Sequence, residues 1–285
     1  MSNKMTEQRL NLERPVMRWH GGKWLLAPWI ISHFPPHRTY VEPFGGAASV
    51  LIRKPRSYAE VYNDTWRTAV DVFRCMRDPA LAAELDQRLR LTPFARDEFK
   101  GAYSTETDDL VERARKAIVR SFMGFGSAST NGEHITGFRA SSRRSGATHN
   151  WQHYPDCIPS FVARLRGVVI ENKDAFEVIA RHDAADTLIY ADPPYPHETR
   201  NMRRGNASYA HEFETADHER LGELLRSCKS MVVVSSYPSR LYDRLYAGWA
   251  VVECDAFADG ARRRREVLYL NDSCATMQRQ QRLIA

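Results

Sequence analysis

The stretch TLIYADPPY, residues 187–195, decides how the rest of the sequence is interpreted. Strand-forming residues lead to an acid, Asp192, which two prolines follow. Neither proline has an N–H group to donate to a neighbouring strand, so a strand cannot continue through Pro193 and Pro194. Asp192 is therefore predicted to lie at the carboxyl end of a strand, the edge where open α/β sheets bind their ligands.

A related pattern, YVEPFGG, occupies residues 40–46. A strand, an acid and then glycines at the start of a helix form the general arrangement that holds a nucleotide-like ligand. The glycines do not follow the dinucleotide-binding spacing, and a tight strand-to-helix turn without a ligand explains them equally well. The next predicted strand ends at Asp64, which is placed either to accept hydrogen bonds from ribose hydroxyls or to cap a helix.

Strands alternate with helical patterns over most of the chain. This order indicates an α/β fold with a mostly parallel sheet, and the last two predicted strands, 249–257 and 265–271, form an antiparallel pair. A mainly helical stretch interrupts the alternation, and its part at 124–155 is predicted to be a long loop. The predicted organisation is a discontinuous catalytic domain at 16–77 and 166–271, an insertion at 78–165, and flexible tails at 1–15 and 272–285.

Composition limits the function only weakly. The chain has 285 residues, 43% of them hydrophobic, and a net charge of +6, which is compatible with a polyanionic partner. Its five cysteines are scattered without metal-binding spacing, so we expect free thiols in a reducing cytoplasm and no metal site. The sequence contains neither a secretory leader pattern nor an apolar run of 18 residues, so we expect no membrane attachment.

The tetrapeptide at 192–195 suits one kind of ligand. A strand-end carboxylate and a rigid proline carbonyl offer two acceptors to an exocyclic amine, which has two N–H donors. Accepting both hydrogen bonds draws the nitrogen lone pair out of conjugation with its ring and makes the nitrogen a better nucleophile. Tyr195 offers a face for base stacking, worth about 1–3 kcal/mol. The alternative for this tetrapeptide alone is an acidic turn closed by prolines.

Four segments in order resemble the DNA adenine-N6 methyltransferases of the Dam type: RWHGGKWLL, YVEPFGGAASV, YNDT and ADPPY. An insertion containing GFRASSRRSG lies before ADPPY, which is similar to the alpha arrangement of that family, and REVLYLN resembles its final hairpin strand. The likeness covers most of residues 16–271 and is weak at about 78–165. Relatives often carry a bulkier residue between the glycines of GGAAS, a difference expected to alter packing only.

The resemblance implies a Rossmann-like methyltransferase fold with an inserted, mainly helical target-recognition domain. It implies transfer of a methyl group from S-adenosylmethionine to adenine N6 in double-stranded DNA by base flipping, at a specific site and without a metal. The cofactor-binding residues would be Trp19, Lys23, Phe44, Asp64 and Asp192, of which Asp64 would hold the ribose. Asp174 is a looser match to an acid near the cofactor's adenine.

The same resemblance assigns catalysis to Asp192, Pro193 and Tyr195. Asp192 would accept a hydrogen bond from the adenine amine, Pro193 would supply a backbone carbonyl, and Tyr195 would stack on the flipped base. Asp192 is also the nearest candidate to take the proton that the amine must lose.

Two groups of arginines are predicted to bind DNA. Arg139, Arg143 and Arg144 lie in the insertion, near Asn131, Asn150 and Gln152, and such side chains can read base edges in the major groove. Arg262, Arg263, Arg264 and Arg265 are predicted to lie in a turn between the last two strands. A hairpin with such charge would enter a groove or grip phosphates, or form an ordinary solvated turn.

Two alternatives stay open at this point. An RNA or protein-amide methyltransferase can use a related tetrapeptide, and a catalytically silent DNA-binding relative would keep the fold. Asp at position 192 and the order of the segments favour DNA adenine, and the intact Lys23, Asp64 and Tyr195 favour an active enzyme. The expected partner is double-stranded DNA, bound by a monomer, and a restriction–modification role is one possible setting.

Overall fold

The computed structural model describes residues 12–104, 107–126, 129–130, 135–140, 146–199, 213–258 and 262–284. Within them the chain forms one seven-stranded sheet with the spatial order β3-β2-β1-β4-β5-β7-β6. The strands are β1 Thr39–Glu42, β2 Ala59–Asn63, β3 Val168–Glu171, β4 Thr187–Ala191, β5 Met231–Ser236, β6 Ala250–Ala258 and β7 Arg262–Leu270.

The first five strands are parallel, and β7 lies antiparallel between β5 and β6. The predicted α/β class and the terminal antiparallel pair are therefore confirmed. The strand order reverses between β1 and β4, so the connections that follow these two strands diverge. Such a reversal leaves a crevice at the carboxyl ends of the strands.

The inner strands β1, β2, β4 and β5 are buried on both faces, and their successive residues supply two different cores. Tyr40 and Tyr190 belong to a core on one face of the sheet, whereas Val41 and Ile189 belong to a core on the other. We call these the tyrosine face and the valine face. This double burial explains why strands such as MVVVSS read as nearly continuous apolar runs.

Helices cover both faces. The tyrosine face carries α1 Ala27–Ser32, α2 Ser49–Arg53, α3 Arg67–Arg77, α4 Pro79–Leu91, α5 Arg96–Gly101, α6 Leu110–Met123, α7 Gly146–Gln152, α8 Ile158–Leu165 and α12 Asp272–Ile284. The valine face carries α9 Ala175–His182, α10 Thr215–Ser227 and α11 Arg240–Leu245.

The predicted insertion at 78–165 contributes α4 to α8. Its buried residues Leu85, Phe99, Ile118 and Trp151 join the same core as Tyr40 of β1. This mainly helical segment therefore packs onto the tyrosine face of the sheet. Its boundaries as a target-recognition domain stay a prediction.

The stretch expected to be a loop at 124–155 contains a helix, α7. The indole N–H of Trp151 donates to the carbonyl oxygen of Thr92 at 2.8 Å, and the Trp151 side chain is buried. The loop prediction was wrong here because a single buried tryptophan fixes a polar segment through contacts distant in sequence.

The prediction of a flexible tail at 272–285 was also wrong, because helix α12 occupies Asp272–Ile284. The side-chain oxygen of Asn271 accepts hydrogen bonds from the N–H groups of Cys274 and Val232, both at 3.0 Å, and Cys274 is buried. Asn271 thus caps the helix and ties it to β5. Of the predicted N-terminal tail, residues 1–11 lie outside the described residues, and Arg14 donates to the carbonyl oxygen of Asn150 at 2.7 Å.

Candidate active site

A cavity of about 440 Å³ opens where the connections after β1 and β4 diverge, and we call it the edge cavity. The segments that follow β1, β2 and β4 line it, together with residues before α1. The predicted site residues that line it are Trp19, Lys23, Phe44, Asp64, Asp192 and Pro193. The sequence-based selection of residues thus converges on one place.

The turn after β1 requires glycine at position 46. Gly46 has a φ of 50°, and a Cβ atom there would lie 2.5 Å from the indole nitrogen of Trp19. Its N–H group donates to Oδ2 of Asp64 at 2.7 Å. Glycine therefore lets the Trp19 ring lie directly against the turn, which brings the segment before α1 to the wall of the cavity.

The neighbouring Gly45 makes room for Tyr62 of β2. A Cβ atom at position 45 would lie 2.1 Å from the Tyr62 ring, whose hydroxyl donates to the carbonyl oxygen of Gly46 at 2.8 Å. The tyrosine ring occupies the space that a bulkier residue at position 45 would need. The difference from relatives at GGAAS therefore coincides with a close contact between Gly45 and the Tyr62 ring.

Asp64 supports the turn with both carboxylate oxygens. Oδ2 accepts from Gly46, and Oδ1 accepts from the N–H group of Trp66 at 2.7 Å. The structural alternative considered for Asp64, a turn residue before a helix, is therefore realised. The ribose role of Asp64 stays a prediction.

Asp192 follows β4 and pairs with Lys23. Lys23 Nζ lies 2.9 Å from Oδ2 of Asp192 and donates to the carbonyl oxygen of Gly21 at 2.8 Å. Oδ1 of Asp192 is buried and has no hydrogen-bond partner of good geometry among the described residues, although the hydroxyls of Tyr195 and Ser235 lie near enough to stabilise the carboxylate. Burial raises the pKa of Asp192, although Lys23 opposes the shift. Asp192 lines the cavity, and a buried oxygen without a partner is costly, so a hydrogen bond from a ligand's N–H group would stabilise it.

Tyr195 lies behind this pair and not on the cavity wall. Its ring is buried, its hydroxyl donates to the carboxylate of Glu266 on β7, and Lys23 Nζ lies 4.7 Å from the ring centroid. The edge of Tyr237 contacts the ring at a centroid distance of 4.7 Å. In this arrangement Tyr195 does not present a face to the cavity, so stacking on a base stays a prediction that requires the ring to move.

Glu42, at the end of β1, is a further buried acid on the cavity wall. Oε2 of Glu42 accepts from the Tyr40 hydroxyl at 2.8 Å and from the N–H group of Leu51 at 2.9 Å. Burial raises the pKa of Glu42 to about 8, and the nearby charge of Asp192 adds to the shift. The deep wall of the cavity therefore carries an excess of carboxyl groups.

The opposite end of the cavity is aromatic. The rings of Phe44 and Phe213 meet edge to face at 5.7 Å, and Phe176 stacks on Phe213 at 6.2 Å. Arg220 lies over the Phe176 ring at 4.2 Å, and Asp174 caps α9 by accepting from the N–H group of Phe176 at 2.7 Å. An apolar slot with a carboxylate at its rim suits a flat base that carries an amine.

A family model for the D12 class N6 adenine-specific DNA methyltransferases matches residues 19–257, which include every wall of the cavity. The chain belongs to this family. A sequence comparison with curated proteins finds no match.

Methyltransferases of this family transfer a methyl group to adenine N6 in DNA, with S-adenosylmethionine as donor and the target base flipped out of the duplex. The described residues fit the donor. The acidic wall suits a molecule with a sulfonium and an ammonium group, and the aromatic slot suits its adenine.

The predicted DNA-binding arginines of the methyltransferase fall at different places. Arg139 is half-buried, and its pKa is lowered by burial and by the positive charge of Arg18. Thr130, which lines the edge cavity, donates to the carbonyl oxygen of Arg18 at 2.5 Å. The charges of Arg139 and Arg18 are therefore close enough to interact, the Arg18 backbone lies beside the cavity, and the sequence analysis did not select Arg18.

In the final hairpin, Arg264 lies over the Tyr237 ring at 4.8 Å. Arg265 pairs across the strands with Glu253 at 3.0 Å and with Asp255 at 3.7 Å. The turn predicted for Arg262 to Arg265 was wrong, because the backbone of all four residues belongs to β7. Arg143 and Arg144 lie outside the described residues, as does Asn131.

Sequence reasoning missed three polar residues of the site, namely Glu42, Ser235 and Glu266. Glu42 precedes a proline at a strand end, as Asp192 does, so the signal that selected one acid could have selected the other. Ser235 and Glu266 lie inside strands that read as ordinary core, and they meet the site only because β5 and β7 are neighbours.

The described residues contain neither a cluster of metal ligands nor a membrane-spanning helix. Among them, no group of three histidine, cysteine or acidic side chains could hold a metal ion. No helix in the described part of the methyltransferase combines the length and the apolar character that crossing a bilayer requires.

Proposed function

We propose that this chain is a site-specific methyltransferase for adenine N6 in double-stranded DNA, with Asp192 and Pro193 holding the target amine. The observation that supports this assignment is that Asp192 lines the edge cavity and that its buried Oδ1 lacks a hydrogen-bond partner of good geometry among the described residues. Lys23 engages the other oxygen, which leaves Oδ1 to accept from an N–H donor.

Trp19, Lys23, Phe44, Asp64 and Asp192 are the residues proposed to hold the methyl donor, with Asp174 at the rim of the slot for its adenine. When bound, the donor supplies a methyl group on a sulfonium, and the N–C bond forms as the C–S bond breaks with its electron pair left on sulfur. The residues around the cavity orient the two reactants and exclude water, and such positioning supplies much of the rate.

Asp192 is proposed to have two consecutive roles. As a carboxylate it accepts a hydrogen bond from the amine and increases the electron density on the nitrogen. After the N–C bond has formed, the nitrogen carries a positive charge and must lose one proton, and Asp192 is the nearest acceptor. Its raised pKa favours that proton transfer, because a general base works best with a pKa close to the working pH.

Tyr195 is proposed to stack on the flipped adenine once its ring has turned from its buried position. We expect Tyr195→Ala to lower turnover more than donor affinity, because the donor would contact other residues. Steady-state kinetics and calorimetric titration with the donor separate the two quantities. Equal losses in both would argue against stacking.

The DNA surface is proposed to include Arg139 and, on the hairpin, Arg262 to Arg264, with Arg143 and Arg144 as further candidates in the insertion. We expect replacement of Arg262, Arg263 and Arg264 by alanine to weaken DNA binding. The slope of log K against log salt should also fall, by about 0.9 for each phosphate that the variant no longer neutralises. Arg265→Ala is the matched control, because Arg265 already pairs with two acids and should contribute less. An unchanged salt slope in the triple variant would show that Arg262, Arg263 and Arg264 do not bind phosphates.

The decisive test compares methyl incorporation from radiolabelled donor into duplex DNA, RNA and protein. We expect incorporation into duplex DNA alone, and its loss in Asp192→Ala. Glu223→Ala, which removes an exposed carboxylate of α10, should behave as wild type. Incorporation only into RNA or protein would support the amide or RNA alternatives, and no incorporation by wild type would support a silent DNA-binding relative. Sequencing of methylated adenines in cells that express the protein would then identify the target site.

Two finer expectations accompany this proposal. A monomer is expected to act on DNA, and size measurement with bound duplex tests it. A cytoplasmic location is supported by the nature of the substrate and by five free cysteines, which suit a reducing compartment.

A further inference from the structure

We propose that Glu266 is a positioning residue for methyl transfer. Its carboxylate holds Tyr195 and Lys23 beside Asp192 and supplies the negative charge that leaves Asp192 able to engage the adenine amine. This inference rests on the roles proposed above for Asp192 and Tyr195. It adds a residue that lies on the antiparallel strand β7, outside the four segments RWHGGKWLL, YVEPFGGAASV, YNDT and ADPPY.

The contacts of Glu266 converge on one oxygen. Oε1 accepts from the hydroxyl of Tyr195 and from the hydroxyl of Ser235 at 2.9 Å, and it lies 3.6 Å from Lys23 Nζ. The hydroxyls of Tyr195 and Ser235 are themselves 3.2 Å apart. Glu266 therefore connects the tyrosine of the catalytic tetrapeptide to the lysine that pairs with Asp192.

The charge of Glu266 is not needed for these hydrogen bonds alone. A glutamine oxygen would accept from both hydroxyls equally well, without the cost of burying an ion. The Glu266 side chain is only 3% exposed, and the Asp192 and Lys23 side chains are 17% and 6% exposed. A carboxylate kept at this depth requires a reason that a neutral side chain would not satisfy.

The charge balance of the cluster supplies that reason. Two carboxylates, Asp192 and Glu266, share one lysine, so the cluster carries a net negative charge when all three are ionised. During methyl transfer the positive charge moves from the donor's sulfur onto the adenine nitrogen, next to Asp192. A preorganised negative cluster stabilises that developing charge, whereas a neutral Asp192–Lys23 pair would do so much less.

The test uses the full-length protein, duplex DNA and radiolabelled donor, with kcat, the KM for donor and the unfolding temperature measured together. Glu266→Gln keeps the acceptor and removes the charge, and we expect kcat to fall at least about tenfold while the donor KM changes less than about threefold. Glu266→Asp keeps the charge and should recover part of kcat. Glu266→Ala removes both charge and acceptor, and it should lose more activity than Glu266→Gln.

The matched control is Glu60→Gln. Glu60 is as deeply buried as Glu266 and also pairs with a lysine, but it lies at the opposite end of the strands. We expect this control to lower the unfolding temperature and to leave kcat of the folded enzyme unchanged. Should Glu266→Ala fail to fold, Glu266→Gln and Glu266→Asp still decide the matter.

A Glu266→Gln enzyme with wild-type kcat, or one altered only in unfolding temperature or donor KM, would overturn the proposal. That outcome is distinct from failure of the proposed function. If Asp192→Ala retained full activity, or if wild type did not methylate DNA, the assignment of the site itself would be at fault.

Discussion

The described part of the molecule contains two buried ionic clusters, at opposite ends of the parallel strands, and they differ in charge balance. At the amino ends, Glu60 faces two cations. Lys54 lies 2.7 Å from its Oε1, and Arg164 donates to Oε2 at 2.6 Å and to Oε1 at 2.9 Å. At the carboxyl ends, Asp192 and Glu266 share the single cation of Lys23.

The pKa shifts follow this difference. Burial alone would raise the pKa of Glu60, but Arg164 and Lys54 outweigh burial and lower it. Burial raises the pKa of both Asp192 and Glu266, and Lys23 only partly opposes it. A cluster with enough cations is a structural element that ties α8 and the turn after α2 to the sheet. A cluster with too few cations, and with a carboxylate oxygen left to accept a hydrogen bond, is prepared to receive a positively charged ligand.

The largest effect should come from Glu60→Ala. It leaves Lys54 and Arg164 buried together without a carboxylate, so we expect a loss of about 3–5 kcal/mol in the free energy of unfolding. Denaturant unfolding measures this loss. A loss below about 1 kcal/mol would show that the amino-end cluster is not the structural one.

Asp192→Asn tests the other side of the comparison. We expect methyl transfer to fall by about 100- to 1,000-fold, because the amine loses a charged acceptor. The free energy of unfolding should not decrease, since Lys23 keeps Glu266 as its partner. Kinetics and denaturant unfolding on the same preparation measure the rate of methyl transfer and the free energy of unfolding. A marked loss of stability would show that the Asp192 cluster, like the Glu60 cluster, is structural.

The pH dependence of stability should reveal Glu42. Its pKa is about 8 when folded, against about 4.5 when unfolded, so the protonated acid favours the folded state. The contribution is fully present below about pH 4.5 and is lost as the pH rises towards about 8. Glu42→Gln cannot titrate, so the wild type should lose stability relative to this variant between about pH 5 and 8, on the order of a few kcal/mol. If the free energy of unfolding changed with pH in the same way in the two proteins, the pKa of Glu42 would not be raised.

The smallest expected effect comes from relieving backbone strain next to the site, at Ala48, without changing any charge. Ala48, the residue before α2, has a φ of 52°, a left-handed conformation that costs a residue with a Cβ atom about 1–2 kcal/mol. Ala48→Gly should raise the free energy of unfolding by about 1 kcal/mol or slightly less, because glycine is also more flexible in the unfolded chain. Gly46→Ala is the opposite control and should destabilise, since its Cβ atom would contact Trp19.

Much of the fold was predictable from local sequence. The predicted strands that lead to Glu42, Asp64 and Asp192 are present, as are the last two predicted strands, and the prolines after Asp192 end β4 where expected. Helix α7 and helix α12 were missed. Their polar sequences are stabilised by Trp151 and Asn271, whose partners lie far away in the chain.

The sequence by itself determined which acids stand at strand ends, that glycines follow the first of them, and that Asp192 is followed by a rigid turn. These features are local, because they depend on the dihedral angles and hydrogen-bonding groups of adjacent residues. Only the tertiary structure decided that Lys23, Glu266 and Ser235 meet Asp192 and Tyr195. Their contacts depend on the order of strands in the sheet, in which β7 lies against β5, and strand order is set by packing across the whole domain.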